Sequence, residues 1–224
     1  MASGWTCRVV GGSRSAPMDT SGNGTGASME GAALRHGWFI IDEVQTGDRT
    51  VEQQTKALAP AIAECAGKSI LDIGCAEGLV GREFVRAGAR CCLGIDTVQD
   101  HIHVAMSQCE GLPMSFHLAS IAQFENEPIP NPFGVEQYDI VLALGVAHKL
   151  EHPRVAIEVA ARYCKDLMLL RRGLRQVDGV VSSKHFNNKA DTHAILRDNG
   201  FEMEKLVKGP APFFEAVEYW RRQK

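Results

Sequence analysis

Apolar positions between residues 69 and 220 fall into two kinds of run. Short, mostly apolar runs occupy 69–73, 90–95, 114–119, 138–144 and 166–171. Runs of this length read as strands, and those with little alternation as strands covered on both faces. The segments between them carry apolar residues at helical spacing. Val98, Ile102, Ala105 and Cys109 share one helix face over 98–109. A helix over 78–87 is ended by Gly88, and Pro153 suits the first turn of a helix over 153–164. Asp191 caps a helix over 191–199, with Gly200 past its end. Two last strands, 201–207 and 213–220, flank Lys208-Gly209-Pro210-Ala211-Pro212. Strict alternation of strand and helix predicts an α/β fold with a doubly wound, mostly parallel sheet.

Upstream, Thr50 and Gln53 form a capping-box pattern. Val51, Thr55, Leu58, Ile62 and Cys65 then lie on one helix face, and Pro60 is expected to kink that helix or divide it. Residues 1–33 are rich in Gly, Ser, Thr and Ala, and Trp5 is their one aromatic residue. Such a segment buries too little apolar surface to offset its ordering entropy, so a flexible tail is expected. Trp38, Phe39 and Ile40 form an exposed-looking cluster ahead of the core. The predicted organisation is a tail over 1–33, a lid segment and helix over 34–66, and the main domain over 67–224.

Candidate chemistry centres on Ser69-Ile70-Leu71-Asp72-Ile73-Gly74-Cys75-Ala76-Glu77-Gly78. A strand that turns through glycines into a helix is expected to present backbone N–H groups to an anionic ligand. The next strand, Cys91–Asp96, ends in a carboxylate placed to accept from a ribose diol. The dinucleotide fingerprint G-x-G-x-x-G would need glycine at Ala76 and Leu79. A phosphate-binding P-loop would need G-K-[ST] after the turn, and none follows.

The G-x-A-x-G spacing resembles the G-x-G-x-G of class I S-adenosylmethionine-dependent methyltransferases, with Ala76 as the departure. The last strand–turn–strand resembles the antiparallel ending of the same group. The resemblance implies a Rossmann-like seven-stranded sheet and S-adenosyl-L-methionine as cofactor. It implies that Asp72, Gly74, Cys75 and Gly78 meet the methionine part, and that Asp96 takes the ribose hydroxyls. Ser120 and Ile121 stand where many relatives read the adenine with an Asp, and Leu144 and Gly145 would line the methionine end. A finer likeness joins Tyr138–Pro153, with Thr46-Gly47-Asp48, to methyltransferases related to tRNA wobble-uridine modifying enzymes. His148 stands where those relatives have Tyr, and Lys149 where they have His, so their substrate does not carry over. His148 is the candidate general base, because an imidazole titrates near neutral pH; packing or capping the next helix is the competing role. His152 reads as a helix-start residue. The acceptor supplies an oxygen, nitrogen or carbon nucleophile, and a small molecule is favoured over RNA. No metal is expected, because Leu144-Gly145-Val146-Ala147 offers no carboxylate. A non-catalytic cofactor-binding module and a nicotinamide-dependent oxidoreductase are the alternatives.

Composition refines this only modestly. Hydrophobic residues make up 45% and charged residues 23% of 224, ordinary for a globular chain. The net charge of −3 divides unevenly, as −7 over residues 1–164 and +4 over 165–224. Arg171, Arg172, Arg175, Lys184 and Lys189 carry the basic excess, either as a solvated loop face or as a site for an anionic substrate such as RNA. Seven cysteines without C-x-x-C spacing suggest a reducing, cytoplasmic setting, with Cys91 and Cys92 acting as small hydrophobes. No apolar run is long enough to span a membrane. His101 and His103 are two apart on a predicted helix and face different directions.

Overall fold

The computed structural model describes residues 39–41, 44–45, 47, 49–146, 153–171, 176–177, 180–181, 189–209 and 216–224. In chain order the elements are β1 (Ile40–Ile41), β2 (Val44–Gln45), α1 (Val51–Thr55), α2 (Ala59–Ala63), β3 (Ser69–Ile73), α3 (Leu79–Arg86), β4 (Cys91–Asp96), α4 (Gln99–Gln108) and β5 (Met114–Leu118). They continue as β6 (Tyr138–Leu144), α5 (Pro153–Tyr163), β7 (Cys164–Arg171), β8 (Gln176–Val177), β9 (Val180–Val181), α6 (Lys189–Asp198), β10 (Phe201–Lys208) and β11 (Ala216–Arg222). The expected tail over 1–33 lies outside the described residues, as do Trp38, His148, Lys149 and His152.

Seven strands form one sheet in the order β10-β11-β7-β6-β3-β4-β5. β3, β4, β5, β6 and β7 are mutually parallel, with Ile70 opposite both Cys92 and Ile140. β11 alone runs against them, pairing antiparallel with β7 and with β10. This is the expected doubly wound sheet with its antiparallel ending.

Successive strand residues serve opposite faces, as the pleat requires. Leu71, Leu93, Val141, Met168 and Trp220 pack with Ala156, Val159, Ile195 and Leu196 of α5 and α6. Ile70, Cys92, Ile140, Leu169 and Tyr219 pack with Leu58, Leu79, Phe84, Ile102 and Ala105 on the other face. The Tyr219 hydroxyl donates to Ala57 O at 2.7 Å, which fixes the N-terminal helical segment to the sheet. The edge strand β10 exposes Glu202, Glu204 and Lys208 and is bulged between Met203 and Lys205, which guards against edge pairing.

Pro60 does divide the expected N-terminal helix. Val51–Thr55 is followed by a 3₁₀ turn over Lys56–Leu58, and Pro60 sits in the first turn of α2. The Thr50–Gln53 capping box is formed, with Gln53 N donating to Thr50 Oγ1 at 3.2 Å and Thr50 N to Gln53 Oε1 at 2.9 Å. Phe39 differs from expectation. It is 4% exposed and packs with the face that carries Leu58 and Leu79, while its backbone bridges Arg49. The sequence also gave no sign of a 3₁₀ turn over Ile121–Glu125 or of the short β8–β9 pair within the long connection after β7.

Candidate active site

The parallel strands end at one edge, where β3 has β4 on one side and β6 on the other. That is the switch point of the winding, the position at which open α/β sheets bind ligands. The turn from β3 into α3 is built on left-handed backbone at Gly74 (φ 70°), Ala76 (φ 46°) and Gly78 (φ 74°). Ala76 pays the steric cost of a side chain in a region that glycine occupies freely.

The turn's amides point inward. Gly74 N and Cys75 N donate to Ile95 O at 2.7 and 3.1 Å, Ala76 N to Asp96 Oδ2 at 2.9 Å, and Gly78 N to Cys75 O at 2.9 Å. The expectation that these N–H groups face an anion is therefore corrected. The register that sets Ile73 opposite Ile95 brings the end of β4 under the turn, where it takes three of these four donors, and Cys75 O takes the fourth.

The glycines also answer to packing. A Cβ on Gly74 would overlap Val146, and one on Gly78 would lie 2.9 Å from the Phe116 ring and 3.1 Å from Ala105 Cβ. A Cβ on Gly94 would lie 2.8 Å from Cys75 Sγ. Cys75 is 4% exposed, and burial raises its thiol well above the ordinary value. It packs rather than reacts.

Three carboxylates are buried around this turn: Asp72 at 3%, Glu77 at 0% and Asp96 at 9% exposure. Burial raises Asp72 to about 7; the Gly81 N–H opposes that shift and the charge of Asp96 adds to it. Burial alone would raise Asp96 too. The His101 ring and the N–H groups of Val98 and Ala76 outweigh it and hold the Asp96 carboxyl below its ordinary range. Val98 N donates to Oδ1 at 2.9 Å, opposite the Ala76 contact on Oδ2. Oδ2 retains capacity for a further donor, as a ribose hydroxyl would supply.

The remaining expected residues are less uniform. Ser120 caps the 3₁₀ turn through a capping box with Gln123, so its oxygen already accepts a backbone N–H. Ile121 is 2% exposed and packs in the core, leaving its backbone as the part that can meet a ligand. Leu144 and Gly145 are half-buried at the end of β6, with Gly145 at φ 72° and its N–H on Arg171 O at 2.8 Å. Arg171 itself is turned inward. It is 5% exposed and donates from Nη1 to Gln54 Oε1 and from Nη2 to Gln54 O. It thus leaves the solvated basic group in which the sequence placed it.

Sequence reasoning passed over His101. The ring is 5% exposed, with Nδ1 3.5 Å from Asp96 Oδ1. Its position one residue from Ile102, on the inner side of α4, was the available signal. His103 points outward, in keeping with the expectation that the two diverge. Among the described residues no three His, Cys, Asp or Glu side chains gather as a metal-ligand set. No helix among them is long and apolar enough to cross a membrane. A polar groove of about 540 Å³ lies at the opposite edge of the sheet, near Gln137, Glu158, Arg162 and Arg222. Its two arginines cap helix carbonyls at Phe124, Glu125, Ala161 and Asn199, which is a structural task.

These features suit S-adenosylmethionine. The ligand is cationic at sulfur and at its amino group, and an acidic turn with inward amides suits a cation better than a pyrophosphate. Residues 70–167 match the methyltransferase domain family. The solved structures of similar fold include magnesium protoporphyrin IX methyltransferase from Synechocystis PCC 6803 with bound SAM, at 20% identity and TM-score 0.61, covering 77% of this chain and 80% of that one. They include the methyltransferase in complex with the Trm112 activator of Haloferax volcanii, at 14% identity and TM-score 0.60, covering 77% and 91%. The [4+2]-cyclase SpnF shares the fold at 17% identity and TM-score 0.59, covering 85% and 87%. No curated protein matches the chain in sequence. The match over residues 70–167 and the SAM-bound structure of the same fold support an S-adenosylmethionine-dependent methyltransferase with S-adenosyl-L-methionine as its cofactor.

Proposed function

We propose that the protein transfers a methyl group to a small-molecule nucleophile held at the carboxyl ends of β3 and β6. The observation that carries this reading is the acidic turn: Asp72, Glu77 and Asp96 buried about a loop whose amides at Gly74, Cys75, Ala76 and Gly78 are internally bonded. The cofactor supplies an electrophilic methyl group on a sulfonium. The chain's own residues bind and orient it. Asp96 accepts from the ribose hydroxyls, Asp72 draws the amino group directly or through water, and Leu144 and Gly145 border the methionine end. Gly74, Cys75 and Gly78 shape the turn, and the backbone at Ser120 and Ile121 borders the adenine. His148 is proposed to take the acceptor's proton. Holding donor and acceptor in line is the main catalytic contribution such a site can make.

The inward Arg171–Gln54 contact supports a small acceptor. RNA binding draws on outward basic side chains, and this arginine is removed from that set. The likeness of Tyr138–Pro153 to the wobble-uridine group supports the reaction type, while His148 and Lys149 set the acceptor apart from that group's.

Calorimetry with S-adenosylhomocysteine and with NAD tests the cofactor, and the first alone is expected to bind. Transfer of label from methyl-tritiated cofactor into a small-molecule extract, against purified cellular RNA, tests the acceptor. Label entering only RNA would overturn the small-acceptor reading. A second reading is a site that binds the cofactor without transferring its methyl group. It is kept because the [4+2]-cyclase SpnF shares this fold, and Ala76 departs from the glycine pattern. Binding of S-adenosylhomocysteine with no label transferred to either fraction favours it.

A further inference from the structure

The Asp96 carboxylate is held from three sides. Ala76 N reaches Oδ2 from the β3–α3 turn, and Val98 N reaches Oδ1 from the β4–α4 turn, both at 2.9 Å. The third contact comes from α4, where His101 Nδ1 stands 3.5 Å from Oδ1. Both side chains are nearly enclosed, at 6% and 11% exposure for His101 and Asp96. Asp72 on β3 is a neighbouring like charge, and Asp96 raises it. Burial works against a carboxylate at the Asp96 position. An imidazole on the far side is the countervailing group.

We infer that His101 is a positioning residue for the cofactor, fixing the Asp96 carboxylate in the charge state and orientation that accept the ribose diol. His101 does not touch the cofactor in this scheme. It acts through one atom, Nδ1, which stands 3.5 Å from Oδ1 of Asp96. With Val98 N and His101 on Oδ1 and Ala76 N on Oδ2, the second lone pair of Oδ2 is the one left open to the diol. The lowered Asp96 carboxyl agrees with this, since His101 is the first of the groups that oppose its desolvation.

The inference rests on the proposed role of Asp96, and its test separates the two. An Asn side chain places its amide nitrogen close to where Nδ1 stands, whereas Gln reproduces Nε2 and Phe neither. His101→Asn, His101→Gln and His101→Phe are titrated with S-adenosylhomocysteine and with its 2′,3′-dideoxy analogue. Thermal melting of each variant by circular dichroism verifies the fold. His101→Asn is expected to bind S-adenosylhomocysteine within about two-fold of the unaltered chain, and His101→Gln and His101→Phe about five-fold or more weakly. With the dideoxy analogue all four proteins should bind alike, because no diol is present for Asp96 to hold. Equal losses for Asn and Phe, a loss that persists with the dideoxy analogue, or no loss in any variant would overturn the inference. If Asp96→Ala weakens binding while every His101 variant is indifferent, the positioning role alone fails. If the unaltered chain does not bind S-adenosylhomocysteine, the functional reading fails and takes this inference with it.

Discussion

Asp96 Oδ2 accepts the backbone N–H of Ala76 at 2.9 Å, so the carboxylate expected to hold the cofactor also closes the turn beneath it. One side chain thus links the end of β4 to the left-handed residue at the centre of the β3–α3 turn. Asp96→Ala should have two effects. Loss of charge-assisted bonds to the diol should weaken S-adenosylhomocysteine binding about ten-fold or more. The buried Ala76 N–H, left without its acceptor, should lower stability by about 1–3 kcal/mol. Asp96→Asn retains an acceptor oxygen and should be the more stable of the two. Titration and urea denaturation read the two effects separately. Unchanged affinity in a folded Asp96→Ala protein would remove Asp96 from the site.

Ala76 supplies a test of the turn itself. Its φ of 46° is the one positive value at a non-glycine residue among the described residues. A β-branched side chain is poorly tolerated there, and the site is 7% exposed, with little room to relax. Ala76→Val should cost about 2 kcal/mol or more, while Ala76→Gly should stay within about 1 kcal/mol of the unaltered chain. Denaturant midpoints decide the matter, and a Val variant as stable as the Gly variant would mean the turn takes another conformation.

Much of this was legible before the fold was known. Periodicity placed β3, β4 and β6 within a residue of their observed bounds, because buried parallel strands and amphipathic helices leave different spacings. Pro60 announced the divided helix for a local reason, its missing N–H. The direction of the turn's amides was not legible. It depends on where Ile95 O and Asp96 arrive, a matter of register between strands some twenty residues apart. Phe39 and Arg171 misled in the same way. Exposure was inferred from neighbours in sequence, whereas both are buried by partners in space, Phe39 in the core around Leu58 and Arg171 on Gln54. Gly78 was expected to meet the cofactor, yet the Phe116 ring also requires a glycine there.

Asp72 predicts a pH dependence of stability. Its folded-state value is raised from 3.8 to about 7 by burial. Below 3.8 the group is neutral in both states and imposes no penalty. Between 3.8 and about 7 the unfolded chain ionises first, so this group's contribution falls as pH rises, by about 1.4 kcal/mol per unit at most. Above that window both states are ionised and the loss levels off. Asp72→Asn cannot titrate. Its stability relative to the unaltered chain should therefore climb from pH 4 to 7 and then flatten. Denaturation curves taken across that range measure the slope, which a fixed offset from the substitution does not affect. Parallel curves would mean that Asp72 stays ionised in the folded protein throughout.

The last prediction concerns the segment ahead of α1. From sequence, this stretch is expected to cover the cleft and to order partly with the cofactor. The described residues give it several anchors that need no ligand. Phe39 is buried against the core face and bridges Arg49, Thr50 and Gln53 cap α1, and Arg171 grips Gln54 by its side chain and its carbonyl. Buried apolar contact and satisfied backbone bonds raise the free energy of local opening. Amides of Phe39, Arg49 and the first turn of α1 should accordingly exchange slowly, and equally, with and without S-adenosylhomocysteine. Hydrogen exchange followed by mass spectrometry on peptides spanning 39–55 provides the comparison. Equal protection makes the segment a fixed wall of the cleft, so that water exclusion at the sulfonium is built in rather than triggered. Protection gained only with the bound ligand would make it a lid after all, and would show that burial of Phe39 and the Arg171–Gln54 contact are together too weak to hold it.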